Sequence, residues 1–461
     1  MPDGALLDQD TLEMTDTATL AALRSGELSG ITRLDLACGL QDFPSEIYEL
    51  ADTLEVLNLS GNALSTLPDD LPRLKKLRVL FCSENRFTRL PEVLTSCAHL
   101  EMVGFKSNRI VDVPAAALSP RLRWLILTDN QIAALPDAIG DCARLQKLML
   151  AGNQLSALPE AMRGCVGLEL LRISANQFQA LPAWLADLPR LTWLAFGGNP
   201  VSASPPFPSE SVSTIPWADL VLAEQLGEGA SGVIHKAHWQ PSSHDARQPV
   251  AVKLFKGAVT SDGYPADEMA ACLAAGHHPH LIGVIGPITG HPAGTNGLVM
   301  PWIDPQFRSL AGPPSLASCT RDIYQDDQSF SLSMVLDLAQ GLAAVGAHLH
   351  ARGISHGDFY AHNVLHHPAG GCYLGDFGAA SFYPPQVAGG FSLFEALEVR
   401  AFGCLLGELL ERTDPEGDAR LLSLNALHLR CIAPVPASRP PFAELLAAFA
   451  SLRPVQPIDS P

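Results

Sequence analysis

Seven asparagines recur at Asn62, Asn85, Asn108, Asn130, Asn153, Asn176 and Asn199, with intervals of 23, 23, 22, 23, 23 and 23 residues. Each closes a strand-like segment of leucines and other apolar residues: LEVLNLSGN, LRVLFCSEN, LEMVGFKSN, LRWLILTDN, LQKLMLAGN, LELLRISAN and LTWLAFGGN. An earlier segment, LDLACGLQDFP, fits the same frame with Gly39 at the asparagine position, which makes eight units. A unit of this size cannot bury its apolar face alone, so the array must stack into one continuous core. The asparagine amides then satisfy backbone groups at the turn after each strand, in a ladder along the stack. Leu-Pro pairs at Leu67-Pro68, Leu90-Pro91, Leu135-Pro136, Leu158-Pro159 and Leu181-Pro182 stop further strand pairing.

Over about residues 28–203 the pattern resembles the 23-residue leucine-rich-repeat family, which implies an α/β solenoid of about eight repeats behind an N-terminal cap, residues 1–27. Val79, Phe81, Met102, Trp124, Ile126, Met149, Leu170 and Trp193 fall on its concave face. Two readings fit them equally: an unknown protein partner binds there through aromatic anchors, or some are semi-buried packing at strand edges or form a face on which the rest of the chain docks. Cys97, Cys142 and Cys165 each precede a repeat leucine by three residues (Leu100, Leu145, Leu168). That regularity reads as small buried core residues in a reducing compartment, not as a disulfide framework.

The bulk properties exclude other classes. With 461 residues, 47% hydrophobic and 17% charged, the chain is globular and too long for one core. A net charge of −18 excludes a nucleic-acid binder and disfavours anionic membrane surfaces. The first residues, MPDGALLDQDTLEM, lack a basic start and an apolar core, so no signal peptide is expected, and no apolar run suggests a membrane span. A cytoplasmic protein is the expectation. A Pro/Ser-rich linker at 204–216 separates the repeats from residues 217–453, with a tail at 454–461.

In the second half, Leu226-Gly-Glu-Gly-Ala-Ser-Gly supplies Gly227, Gly229 and Gly232, followed by alternating VIHKAHW. That is a strand, not a helix, so it favours a glycine-rich hairpin whose backbone N–H groups approach phosphates. Lys253 lies in the buried strand VAVKLF, and Glu268 in the helical DEMAACLAAG can pair with it. The densest cluster is ISHGDFYAHNVL followed by LGDFG. Asp358 and Asn363 are five apart, and Asp358 and Asp376 eighteen apart. These types suit phosphoryl transfer: one carboxylate takes or orients the proton of the attacking hydroxyl, while an amide and a second carboxylate offer hard oxygens to a divalent cation.

These motifs in order resemble the protein-kinase family over about residues 218–453, and most closely the bacterial leucine-rich-repeat protein kinases with HGDxYAHN-like loops. The resemblance implies an α+β bilobal fold and ATP with Mg²⁺. Gly227, Gly229 and Gly232 would contact phosphates, Lys253 would orient ATP with Glu268 as its partner, and Asp358 would be the catalytic base. Asn363 and Asp376 would hold Mg²⁺. LVMPWID resembles the hinge, with Met300 as gatekeeper, Trp302 and Ile303 beside adenine, and Ile234, Ala251 and Leu365 completing the nucleotide site. His356, Phe377 and Cys272 resemble the regulatory hydrophobic stack, EVRAFGCLLGELL the central helix of the second lobe, and Arg439 the structural arginine of its closing segment.

Departures from the family are specific. Gly357 replaces the arginine of His-Arg-Asp, which removes the usual cationic pocket for a loop phosphate. Tyr360 stands where Ser/Thr kinases keep a lysine, so the γ-phosphate loses a counter-charge, and Glu398 replaces the usual aspartate of the central helix. The segment from Gly378 to Glu398 is short, with Glu395 the candidate for its closing glutamate and Ser381, Tyr383 and Ser392 its only hydroxyl-bearing candidates for phosphorylation. The expected function is transfer of the ATP γ-phosphate to protein Ser/Thr hydroxyls, Tyr not excluded. The alternatives are a small-molecule phosphotransferase, which also carries His-Gly-Asp, and a pseudokinase scaffold. His277, His278 and His280 look metal-like by count but read as turn and packing residues.

Overall fold

The computed structural model describes residues 16–202, 213–229, 231–241, 246–257, 259–384, 392–413 and 418–452. The expected tail and the first part of the expected linker lie outside them.

After helix α1 (Asp16–Ser25) come eight three-residue strands: β1 (Arg33–Asp35), β2 (Val56–Asn58), β3 (Val79–Phe81), β4 (Met102–Gly104), β5 (Trp124–Ile126), β6 (Lys147–Met149), β7 (Leu170–Arg172) and β8 (Trp193–Ala195). They pair in sequence order as one parallel sheet, so the weak first unit around Gly39 is a genuine repeat. On the convex side most units carry a 3₁₀ turn. Pro44, Pro91, Pro114, Pro136, Pro159 and Pro182 each stand at the cap position with extended backbone, which suits a residue with fixed φ and no N–H to donate.

The asparagine ladder forms. Asn153 Oδ1 accepts from the Ile132 N–H (3.0 Å), and its Nδ2 donates to the Leu127 and Leu150 carbonyls, both at 2.9 Å. Asn85, Asn108, Asn130, Asn176 and Asn199 repeat the motif one unit apart. The leucines behind the strands form one core that includes Cys97, Cys142 and Cys165, all three as free buried thiols.

The second domain begins inside the expected linker. Ile215–Pro216 form β9, paired in parallel with β13. The first lobe holds β10 (Leu220–Glu228), β11 (Gly232–Trp239), β12 (Gln248–Phe255), α2 (Pro265–Ala275), β13 (Gly286–Thr289) and β14 (Gly297–Pro301). Its six-stranded sheet runs β10-β11-β12-β14-β13-β9. The second lobe follows with β15 (Arg308–Ser309), α3 (Leu332–His350), β16 (Ile354–Ser355), β17 (Val364–His366), β18 (Cys372–Leu374), β19 (Ser381–Phe382), α4 (Leu393–Leu410), α5 (Ala419–Cys431) and α6 (Phe442–Leu452). Helix α3 is long and apolar enough to cross a membrane by length and composition, but here it is a core helix packed on α4 and α6. His280 Nδ1 lies 3.1 Å from the Cys372 carbonyl and His278 packs on the His348 ring, so these histidines serve packing. Burial holds His278 down at about 4.

The concave face resolves in favour of the second reading: along β3 to β8 the chain's own second domain covers it, where an outside partner was equally expected. Val79, Met102, Trp124 and Ile126 are buried against Leu316 and Cys319, while Leu170 and Trp193 join the core of the second lobe. Beyond the last unit, Tyr383 and Leu397 extend the repeat core, and Phe394 stacks on Phe196 with centroids 4.8 Å apart. An apolar solenoid end needs a cap, and the second domain supplies it.

Asn153→Ala should lower unfolding stability by about 2–3 kcal/mol, since it strips partners from a buried N–H and two carbonyls. Arg163→Ala, an exposed ion-pair residue, should stay within about 0.5 kcal/mol. Denaturant melts of the full chain check the contrast; equal losses would contradict the ladder.

Candidate active site

The hairpin β10–β11 forms as the sequence suggests, with Gly227 opposite Ile234 and the Gly229 N–H donating to the Gly232 carbonyl at 2.9 Å. Gly232 is required by space: a Cβ there would stand 2.4 Å from the Leu254 carbonyl oxygen. Gly227 and Gly229 have nothing within 4 Å, leaving their backbone open to a ligand.

Beneath the hairpin lies a cavity of about 370 Å³, within the ordinary range for small-ligand sites. Gly229, Gly232, Ile234, Ala251, Lys253, Glu268, Met300, Trp302, Ile303, Leu365 and Asp376 line it, as do Cys272 and Phe377. Of the residues expected at the nucleotide, Gly227 alone is outside the lining. Asp358 and Asn363 stand in the catalytic loop between β16 and β17.

Lys253 and Glu268 form a buried ion pair between β12 and α2. Burial pulls the Lys253 ammonium down, but Glu268 and Asp376 outweigh it and keep it charged. Asp376 has φ of 58°, a strained conformation for a non-glycine residue, and its Oδ1 accepts from the Gly378 N–H (3.2 Å). Burial raises its carboxyl, but Lys253 and that N–H hold it below the usual range. Phe377 packs on His356 at 5.1 Å, and His356 Nε2 lies 2.9 Å from the Gly375 carbonyl oxygen. Asn363 Nδ2 donates to the Asp358 backbone carbonyl and to its Oδ2, both at 2.9 Å. The amide oxygen of Asn363 is then left for another ligand.

From below, α4 braces the loop. Glu398 Oε1 accepts from the Gly357 N–H (2.7 Å) and Ser355 Oγ (3.1 Å), so the longer acid does the anchoring at this position. Arg439 donates to the Ala396 carbonyl (2.9 Å), while Glu395 accepts from the Phe442 N–H (3.0 Å). Asp322, in the loop between β15 and α3, caps the same loop through Ala361 N–H (2.7 Å) and His362 Nδ1 (2.6 Å). Sequence reasoning did not find Asp322, because it lies far from every motif.

Nor did it find Arg172. This β7 residue is 2% exposed and ion-pairs with Asp358. Its Nε lies 2.7 Å from Asp262 Oδ1, and its Nη1 donates to the Gly357 carbonyl at 2.8 Å. Burial would raise the Asp358 carboxyl, but Arg172, followed by His362, overcomes this and holds it low. The next repeat touches the same loop: Trp193 stacks on Tyr360 at 4.1 Å and 9°. Gly357 has φ of +73°, and a Cβ there would meet the Ala379 and Leu194 carbonyl oxygens at 2.5 and 2.9 Å. The two departures at Gly357 and Tyr360 therefore coincide with repeat contacts.

The hydroxyls considered for phosphorylation are spoken for. Ser381 Oγ accepts from the Phe196 N–H (2.9 Å), Tyr383 OH contacts His350 Nδ1 (2.6 Å), and Ser392 caps α4 by accepting from the Glu395 N–H (3.0 Å). All three are buried, so they are structural residues here.

Residues 220–386 match the family described as protein tyrosine and serine/threonine kinase, and residues 120–178 and 53–74 match leucine rich repeat families. The chain joins leucine-rich repeats to a protein-kinase domain. Among curated relatives it is 31% identical over 159 residues to a "Probable serine/threonine-protein kinase gdt4" of Dictyostelium discoideum, covering 34% of this chain and 8% of that protein. It is 26% identical over 229 residues to the "Serine/threonine-protein kinase CTR1" of Arabidopsis thaliana, covering 44% and 25%. A third, the "Probable inactive serine/threonine-protein kinase roco10" of Dictyostelium discoideum, is 32% identical over 102 residues, 21% of this chain and 4% of that protein. The chain thus spans a quarter or less of each of these relatives. They are eukaryotic, so the comparisons do not support the bacterial affiliation.

Gly357→Ala should loosen the seam between the domains, at a conformational cost of about 1–2 kcal/mol plus the clash. Hydrogen exchange reads it at the Phe196 amide, bonded to Ser381 Oγ, and the Phe382 amide, bonded to Ser202 Oγ (3.1 Å). Unchanged protection at both would contradict the fit.

Proposed function

We infer that this chain is an ATP-dependent protein kinase that uses Mg²⁺ and phosphorylates protein Ser/Thr hydroxyls, Tyr not excluded. The observation that carries it is convergence: Lys253, Glu268 and Asp376 line one cavity, and Asp358 with Asn363 stands in the loop beside it. The kinase family match and the names of two of the relatives, gdt4 and CTR1, support the same reading.

The roles follow from the chemistry. The apolar walls at Ile234, Ala251 and Leu365 suit a flat base, with Met300, Trp302 and Ile303 at the strand that ends the cavity. Lys253, pinned by Glu268, would present its charge to the phosphates. The donor set fits a hard divalent cation: Asp376 is held ionised and Asn363 keeps its amide oxygen, so these two would hold Mg²⁺. When bound, the metal neutralises charge on the phosphates. Asp358, its side chain 18% exposed, would accept or orient the proton of an incoming hydroxyl. The cytoplasm is the proposed compartment, supported by ten free cysteines. The metabolite-kinase and pseudokinase alternatives gain no support from a family match of the protein-kinase type and a full catalytic set.

Incubation of the full chain with ATP and Mg²⁺, followed by mass spectrometry, tests the reading. Asp358→Ala should cut phosphate incorporation by about 10²–10⁴-fold while keeping nucleotide binding. Lys253→Met should also abolish it, leaving Glu268 as an unpaired buried acid. Undiminished transfer in Asp358→Ala would reject its assignment as base.

A further inference from the structure

The catalytic loop lacks two cations of the pattern it resembles, at Gly357 and at Tyr360, and the cationic group it places nearby, His362, is tied to Asp322. The replacement comes from the repeats. Arg172 reaches from β7 to the Asp358 carboxylate, the Gly357 carbonyl and the Asp262 carboxylate. Asp262 belongs to the first lobe, in the turn just before α2, the helix that carries Glu268. One guanidinium therefore ties both lobes together across the site.

Resting on the kinase reading, we propose that Arg172 is a positioning residue of the phosphotransfer site, lent to the catalytic loop by the seventh repeat, and that the repeat domain is a standing part of the active site. The fork of Arg172 fixes Asp358 Oδ1 while Asn363 fixes Oδ2, so the carboxylate has one orientation. A planar fork with several donors does this better than an ammonium.

Three observations favour a completing role over an inhibitory one. Among the described residues, none from the repeats lines the nucleotide cavity. With the repeats docked, the Lys253–Glu268 pair, the Phe377–His356 contact and the Asn363–Asp358 bonds are all in place. Detachment of the repeats would also expose Trp193, Leu170 and the apolar end at Phe196, all now buried in shared cores. The loop itself is cut to fit, since Gly357 leaves room for the Leu194 carbonyl and Tyr360 stacks on Trp193.

The test uses the full chain, comparing wild type, Arg172→Met and Arg172→Lys. Initial rates of phosphate incorporation are measured at varied ATP with Mg²⁺, and a thermal shift with ADP–Mg²⁺ verifies that each variant folds around nucleotide. Arg172→Met should lose about tenfold or more in kcat with KM for ATP within about threefold, and Arg172→Lys should fall between it and wild type. A lower rate that comes through KM for ATP, with kcat unchanged, indicates a docking role only and overturns the proposal. So does an Arg172→Met rate equal to or above wild type, the mark of an idle or inhibitory contact. If Arg172→Met does not bind ADP, Arg172→Lys decides: reduced kcat at unchanged KM supports the proposal, and wild-type kinetics overturn it. A wild-type chain that binds ADP–Mg²⁺ but transfers no phosphate rejects instead the kinase reading beneath.

Discussion

A guanidinium that is almost wholly buried has to be neutralised, and at Arg172 that requirement organises the molecule. Burial alone disfavours its charge, and the carboxylates of Asp358 and Asp262 compensate. Meeting both acids fixes where the seventh repeat lies against each lobe. It also removes the freedom of the solenoid to lean toward one lobe alone. The Trp193–Tyr360 stack, worth about 0.5–1.5 kcal/mol beyond area burial, and the shared core around Phe196 and Phe394 then add strength to a geometry already set by charge.

Much of this was legible in the sequence. The asparagine period marked the solenoid, because each amide must serve the unit before it, and even the first unit without asparagine followed the frame. The glycine hairpin, Lys253, Glu268, Asp376 and the catalytic loop were legible because their spacing reflects a local chemical need. The relation between the two halves was not. Arg172 stands in LELLRISAN as one polar residue among similar repeats, and nothing local distinguishes an inward-facing arginine aimed at another domain from a solvated one. Asp322 was hidden for the same reason. The signal available was indirect: Gly357 and Tyr360 broke the kinase pattern together, and side by side, which hinted at an outside surface pressed against that loop.

The hydrophobic concave face teaches the same lesson from the other direction. Val79, Met102 and Trp124 were correctly assigned to it, and their apolar character did mean contact. Periodicity tells which side chains share a face but not what covers it, and a chain long enough to fold back can cover itself. The phosphorylation candidates had the opposite fate. Ser381 and Ser392 carry hydroxyls because a backbone amide needed an acceptor at those points, not because an enzyme must reach them.

Stacking in one direction makes the solenoid a ruler with one fixed end. Strands in such a sheet advance by about 4.8 Å each. A unit gained or lost ahead of β3 leaves every register from Arg172 to the capped end untouched. The same change between β7 and β8 would carry Arg172 one rung away from Trp193, so the two could no longer meet Asp358 and Tyr360 together. A change of length at the amino-terminal side is therefore harmless to these contacts, whereas the last repeats form one block with the domain they abut.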